Sequence, residues 1–272
     1  LEGQILALLF EKPSLRTRVS FEVAMHQLGG RSLYLSPSEV GLGKREAIAD
    51  VARVLSRYVN AVTARTYSHQ SLELLANHAA IPVINALSDL EHPCQALGDL
   101  LTIYEKRGKL QGLTFAFIGD ANNVARSLLL AAASVGMNFT IASPAGYRFP
   151  ENVLSQAQEL ASGSGARITC GQDPLTAVQG ADVVYTDVWV SMGQEDEAEK
   201  RRRDFAPYQV NAELLAQAGK DSIFMHPLPA HHGEEVEEGL LDHPQSVVFD
   251  QAENRLHIQK AILVELLVKA KS

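Results

Sequence analysis

The chain has 272 residues, 46% of them hydrophobic, which is enough for two ordinary domain cores. Its formal net charge of −8 argues against a general nucleic-acid binder but leaves room for a local anion site. No apolar run reaches the roughly 20 residues of a membrane span, and Cys94 and Cys170 lack CxxC spacing, so a reducing, cytoplasmic compartment is expected.

In chain order, apolar strands are predicted at residues 4–10, 31–35, 61–65, 82–85, 113–119, 139–142, 167–170, 182–186, 222–226 and 247–249. Helical patterns lie between them, among them 20–28, 47–57, 93–106 and 124–135, and a last helix covers about 252–271. This alternation predicts an α/β chain, with two parallel sheets of four or five strands in preference to one of ten. The polar stretch KRGKLQG at residues 106–112 is the best boundary. It separates a first domain, 1–108, from a second, 109–251. Pattern alone leaves open whether the final segment, 252–272, returns to the first. Residues 193–207 carry the run EDEAEKRRRD and read as a solvated, mobile loop of the kind that serves as a lid. The chain starts at Leu1 and not at Met, so further residues, with any targeting segment, are expected ahead of it.

Several strand ends carry chemistry. SLRTR at 14–18 follows the first strand, with Pro13 and Ser14 as helix-start residues. A helix N-terminus with Ser14, Thr17 and the forked Arg16 suits a phosphate; a capped helix with surface arginines is the plain alternative. His92 and Gln95, in HPCQ, can polarise a carbonyl and hold an amide, although a lone histidine there is more often a cap. Arg65 ends a strand, where ligands of open α/β sheets gather. The turn GDANN at 119–123 lacks GxGxxG spacing, so dinucleotide binding is weakly supported. Its asparagines suit an amino acid's carboxylate and ammonium, or simply a turn. Asp187, in DVWVSMG, can accept from an ammonium group or cap a turn, and Met192 reads equally as core. The histidines and glutamates of HPLPAHHGEE at 226–235 invite a metal, but HExxH is absent and no metal is expected.

Taken together, FEKPSLRTR, HPCQAL, DVWVSMGQE and FDQAENRLH, in that order, resemble the carbamoyltransferase family, its ornithine branch most closely. The resemblance covers almost the whole chain. It implies two doubly wound parallel-sheet domains with the active site between them, the final helix crossing back to the first domain. It implies a trimer with no cofactor. Carbamoyl phosphate would meet Ser14, the Leu15 backbone, Arg16, Thr17, Arg65, His92, Gln95, Pro227, Leu228 and Arg255. Ornithine would meet Asn123, Asp187, Ser191 and Met192. Arg65, His92 and Pro227 would stand nearest the chemistry.

The chain departs from the family at named positions. Pro227 replaces the cysteine of HCLP, as in aspartate enzymes, which nevertheless lack the SMG loop kept here. Leu15 replaces the first threonine of STRTR, and Gly41 stands where many members have glutamine in a loop offered to a neighbouring subunit. The family's N-terminal helical segment is also missing. Another acceptor (aspartate, putrescine or an acylated ornithine), a non-catalytic ligand-binding paralogue and a nicotinamide-dependent oxidoreductase are the rival readings.

Overall fold

The computed structural model describes residues 1–191 and 193–268. The chain folds as two compact units, Leu1–Gly98 with Glu253–Ser272, and Asp99–Ala252.

The first unit contains β1 (Ile5–Phe10), α1 (Leu15–Gln27), β2 (Arg31–Leu35), α2 (Pro37–Val40), α3 (Ile48–Tyr58), β3 (Ala61–Arg65), α4 (His69–His78), β4 (Val83–Leu87) and the start of α5 (Pro93–Arg107). Its sheet runs β2-β1-β3-β4, every pairing parallel. A parallel sheet is covered on both faces, so its strands read as continuous apolar runs, as LALLF does in β1. Alternate side chains then serve different cores. Leu6, Leu8 and Phe10 pack with Phe21 of α1 and with Leu263 and Leu267 near the C-terminus. Ala7 and Leu9 pack with Ala52 of α3 and with Leu72 and Leu75 of α4.

The second unit opens on the remainder of α5, followed by β5 (Thr114–Ile118) and α6 (Asn123–Ser134). It continues through β6 (Asn138–Ala142), α7 (Glu151–Ser164), β7 (Ile168–Gly171), α8 (Pro174–Val178), β8 (Val183–Thr186), α9 (Ala198–Phe205), α10 (Ala212–Ala218) and β9 (Ile223–Met225) to the start of α11 (Val248–Leu267). Its sheet runs β7-β6-β5-β8-β9, again all parallel.

Two expectations are corrected. Residues 247–249 form no strand. A single bridge joins Phe224 to Ser246, the Val247 N–H donates to the Phe224 carbonyl, and Val248 already begins α11. The apolar VVF is too short to hold a strand against the helix-forming DQAENR that follows it. Residues 193–207 are not an irregular loop either. A 3₁₀ turn at Glu195–Glu197 leads into α9, whose Arg201 and Phe205 are buried. The division between units falls inside α5, ahead of the polar stretch 106–112.

Candidate active site

Strand order fixes where each unit can hold a ligand. In the first sheet the order reverses between β1 and β3, and in the second between β5 and β8. In open α/β sheets, ligands bind beyond the carboxyl ends of strands at such points. SLRTR leaves β1, Arg65 ends β3, GDANN leaves β5 and DVWVSMG leaves β8, whereas HPCQ follows β4 and HPLP follows β9.

In the first unit, β1 ends at Phe10 and Ser14 caps α1, its hydroxyl accepting from the Thr17 N–H at 3.4 Å. The first-turn N–H groups of a helix, here those of Leu15 and Arg16, lack intrahelical acceptors, and the dipole there favours an anion. The Leu15 side chain is 76% exposed, so the threonine-to-leucine departure leaves this backbone intact. Thr17 is buried, and its hydroxyl accepts from Arg255 at 3.1 Å. A second Arg255 nitrogen donates to the Gln95 side-chain oxygen at 2.5 Å.

Gln95 belongs to the first turn of α5. The His92 carbonyl accepts the first helical bonds from the N–H groups of Gln95 and Ala96, and Pro93 starts the helix. Arg65 is buried at the end of β3, beside Phe10 of β1. Burial, then the neighbouring charges of Arg255 and Arg16, lower its pKa to about 10. Burial, with Arg255 and Arg65 adding to it, holds the His92 imidazole well below the usual histidine range, so it is neutral. Arg65 and Arg255 thus stand near one neutral imidazole, and Arg16 stands near Arg65. The Arg65 Nε, deeply buried, meets no acceptor among the described residues. Arg18 of the same motif is committed elsewhere, to Glu22 at 2.9 Å and to the face of Tyr34 at 3.9 Å.

In the second unit, Asn122 caps α6, its side-chain oxygen accepting from the N–H groups of Val124 and Ala125, both at 3.0 Å. Its amide nitrogen donates to Asp187, just beyond β8, at 2.8 Å. Sequence reasoning favoured Asn123. That residue opens α6, and its side-chain oxygen accepts from the Val124 N–H at 3.1 Å. Asn122 is joined to Asp187. Burial raises the Asp187 pKa, while His226, Asn122 and the Val188 N–H act against that rise. The Ser191 N–H donates to the Gln194 side chain at 3.1 Å; Met192 lies outside the described residues.

The turn after β9 is tightly braced. The buried His226 donates its backbone N–H to Gln251 at 2.9 Å, and its Nε2 pairs with Glu235 at 3.2 Å. Its Nδ1 accepts from the Leu228 N–H at 2.9 Å, which places the imidazole proton on Nε2. Pro227 lacks an N–H, and the Leu228 N–H is taken up by His226. Leu228 holds φ at +56°, a left-handed conformation that is uncommon for a residue with a β-carbon. The ligand atoms of His231, Glu234 and Glu235 lie within 4.8 Å of one another, and each carboxylate has a protein partner on one oxygen. Glu234 pairs with Arg202 at 2.9 Å, and one oxygen of Glu235, Oε1, accepts from both His226 and the His231 N–H, while Oε2 lies 3.6 Å from the His231 Nδ1.

Residues 1–105 match the family model described as the aspartate/ornithine carbamoyltransferase carbamoyl-P binding domain, and residues 111–266 match the Asp/Orn binding domain of the same enzymes. The chain belongs to the aspartate/ornithine carbamoyltransferase family. An ornithine carbamoyltransferase of Anoxybacillus flavithermus is 59% identical over 267 residues, 98% of this chain and 85% of that protein. Among solved structures, the ornithine carbamoyltransferase of Pyrococcus furiosus superposes with a TM-score of 0.95 at 54% identity, covering 98% of this chain and 85% of the other. The anabolic ornithine carbamoyltransferase of Campylobacter jejuni gives 0.95 at 41% identity, covering 100% and 89%.

One departure from other family members has a local reason in this chain. Gly41 closes α2 in the left-handed conformation, φ +52°, and a β-carbon there would come within 2.9 Å of the Arg45 β-carbon. Glycine suits that cap, whereas glutamine would strain it. Cys94, beside His92 in the family's HPxQ motif, packs in the core, and burial pushes its thiol up to about 11.

Proposed function

We propose that the chain transfers the carbamoyl group of carbamoyl phosphate to the side-chain amine of L-ornithine, giving L-citrulline and phosphate in arginine biosynthesis. The observation that carries this reading is the grouping of Arg16 after β1, Arg65 at the end of β3 and Arg255, which bonds Thr17 and Gln95, with Arg65 and Arg255 near the neutral His92. A phosphate dianion relieves their mutual repulsion. Relatives named as ornithine carbamoyltransferases at 59% and 55% identity support the acceptor.

In this reading residues 1–108 and 252–272 serve carbamoyl phosphate, and residues 109–251 serve ornithine. Ser14, Arg16, Arg255 and the first turn of α1 hold the phosphate. Arg65, Thr17 and His92 stabilise charge on the carbonyl oxygen, and Gln95 and the carbonyls of Pro227 and Leu228 orient the amide. Asn123, Asp187, Ser191 and Met192 hold ornithine, with Asp187 orienting it and not acting as a strong base. The neutral amine attacks the carbonyl carbon, the bond to phosphate breaks, and the amine proton leaves with the phosphate. The free amine resembles lysine, pKa about 10.4, so activity rises with pH. The chemistry needs no cofactor. We place the enzyme in the cytoplasm as a homotrimer, to which the exposed Leu33 and Tyr58 can contribute apolar surface.

Citrulline formation from carbamoyl phosphate, compared with carbamoylation of aspartate and putrescine, tests the assignment. Ornithine is expected to be preferred, with a modest gain in turnover for Pro227→Cys. A preference for aspartate would overturn the acceptor.

A further inference from the structure

The charge run EDEAEKRRRD hides one arginine that is not solvated. Arg201 of α9 is 3% exposed. Its guanidinium is stacked near the rings of Tyr147 and Phe205, with its central carbon 4.9 and 5.4 Å from their centroids. Each of its nitrogens has a different partner. Nε donates to the Trp189 carbonyl at 2.5 Å, one terminal nitrogen pairs with Asp120, and the other lies 3.7 Å from Glu197.

The partners make this arrangement more than a buried ion pair. Asp120 belongs to the turn that leaves β5, two residues before the α6 cap Asn122. Trp189 belongs to the segment that leaves β8, two residues after Asp187 and two before Ser191. These are the two segments that flank the switch point of the second sheet. Tyr147 joins the same assembly, since the Ala121 N–H donates to its carbonyl at 3.2 Å. Trp189 and Phe205 also stack at 6.3 Å. One side chain on α9 therefore fixes the spacing of both segments. It also neutralises Asp120, which leaves Asp187 as the carboxylate for an incoming ammonium group.

We propose that Arg201 is a positioning residue for the amino-acid substrate, holding the segments after β5 and β8 in register through its fork to Asp120 and the Trp189 carbonyl. This rests on the reading of that site as the ornithine site. Lysine at 201 keeps the charge and can meet Asp120, but a single ammonium on a flexible stem lacks the planar fork that serves both partners. Displacing a site by about 1 Å from a distance can cost on the order of 100-fold in rate.

The test is steady-state kinetics of the wild type, Arg201→Lys and the paired variant Asp120→Asn/Arg201→Gln, with ornithine and carbamoyl phosphate each varied. We expect KM for ornithine to rise about 10- to 100-fold in Arg201→Lys while KM for carbamoyl phosphate stays at the wild-type value. If Arg201→Lys fails to fold, the paired variant, which removes both buried charges together, is expected to show the same split. Wild-type kinetics in the variant that folds, an equal rise for both substrates, or a loss confined to kcat overturns the role, as does failure of both variants to fold. A wild type that makes no citrulline overturns the ornithine reading itself, a result distinct from any of these.

Discussion

Asp187 and His92 are both buried ionisable groups, and burial moves their pKa values in opposite directions because it disfavours whichever form is charged. Asp187→Asn retains an oxygen for the Asn122 amide and loses only the charge. A charged hydrogen bond contributes roughly 1.5–3 kcal/mol, so KM for ornithine should rise about 10- to 100-fold while the affinity for carbamoyl phosphate, measured by calorimetry, is retained. An equal loss for both ligands would make the residue structural. For His92 the prediction concerns stability. Its folded pKa lies well below the ordinary 6.5, so as the pH falls below 6.5 the unfolded chain binds a proton that the folded chain refuses. Stability from this group is present above that pH and declines below it, by at most about 1.4 kcal/mol per pH unit. Urea midpoints between pH 7 and 5 should therefore fall more steeply for the wild type than for His92→Gln; parallel slopes would contradict the neutral, buried imidazole.

At the scale of elements, α9 depends on Phe205, which is fully buried among Tyr147, Trp189 and Tyr208. Phe205→Ala should cost about 3–5 kcal/mol, read from the urea midpoint, and should weaken ornithine use along with it. A loss below about 1 kcal/mol would mean that the aromatic cluster collapses around the gap. This helix was the least legible part of the sequence. A run of charges is usually a solvated face, and nothing in EDEAEKRRRD distinguishes Arg201 from its neighbours. The only signal was Phe205, one helical turn later, facing the same way. The β-strands were legible because both faces of a parallel sheet are covered, which leaves runs such as LALLF and VVYT. The VVF run at 247–249 has the same composition and became the start of α11 because its pairing stops after one bridge. In the candidate site, SLRTR and HPCQ could be read from residue chemistry at strand ends. Arg255 could not, since it lies inside a helix, and only the resemblance pointed to it. The bond from Asn122 to Asp187 could not be read from the sequence either, since it depends on the cap geometry of α6.

At the scale of the whole molecule, the proposed reaction requires a chain of net charge −8 to admit a phosphate dianion to Arg16, Arg65 and Arg255. At low ionic strength the field reaches about 30 Å and the approaching anion meets the global negative charge; near 0.15 M it reaches only about 8 Å. We expect kcat/KM for carbamoyl phosphate to hold or rise across that range, because the buried arginines are screened far less than the surface. A steep fall with added salt would show that surface cations steer the substrate instead. The division of the chain into units also has a consequence for its synthesis. The second unit is one continuous stretch, whereas the first takes its closing piece from beyond residue 252. Leu263 and Leu267 complete the core around β1, and Arg255 bonds Thr17 and Gln95. A ribosome delivers these side chains only after the whole second unit. The half of the protein that emerges first therefore waits through the synthesis of the other half to finish its core and its proposed anion site, so a nascent chain is expected to stay inactive until the stretch beyond residue 252 has emerged.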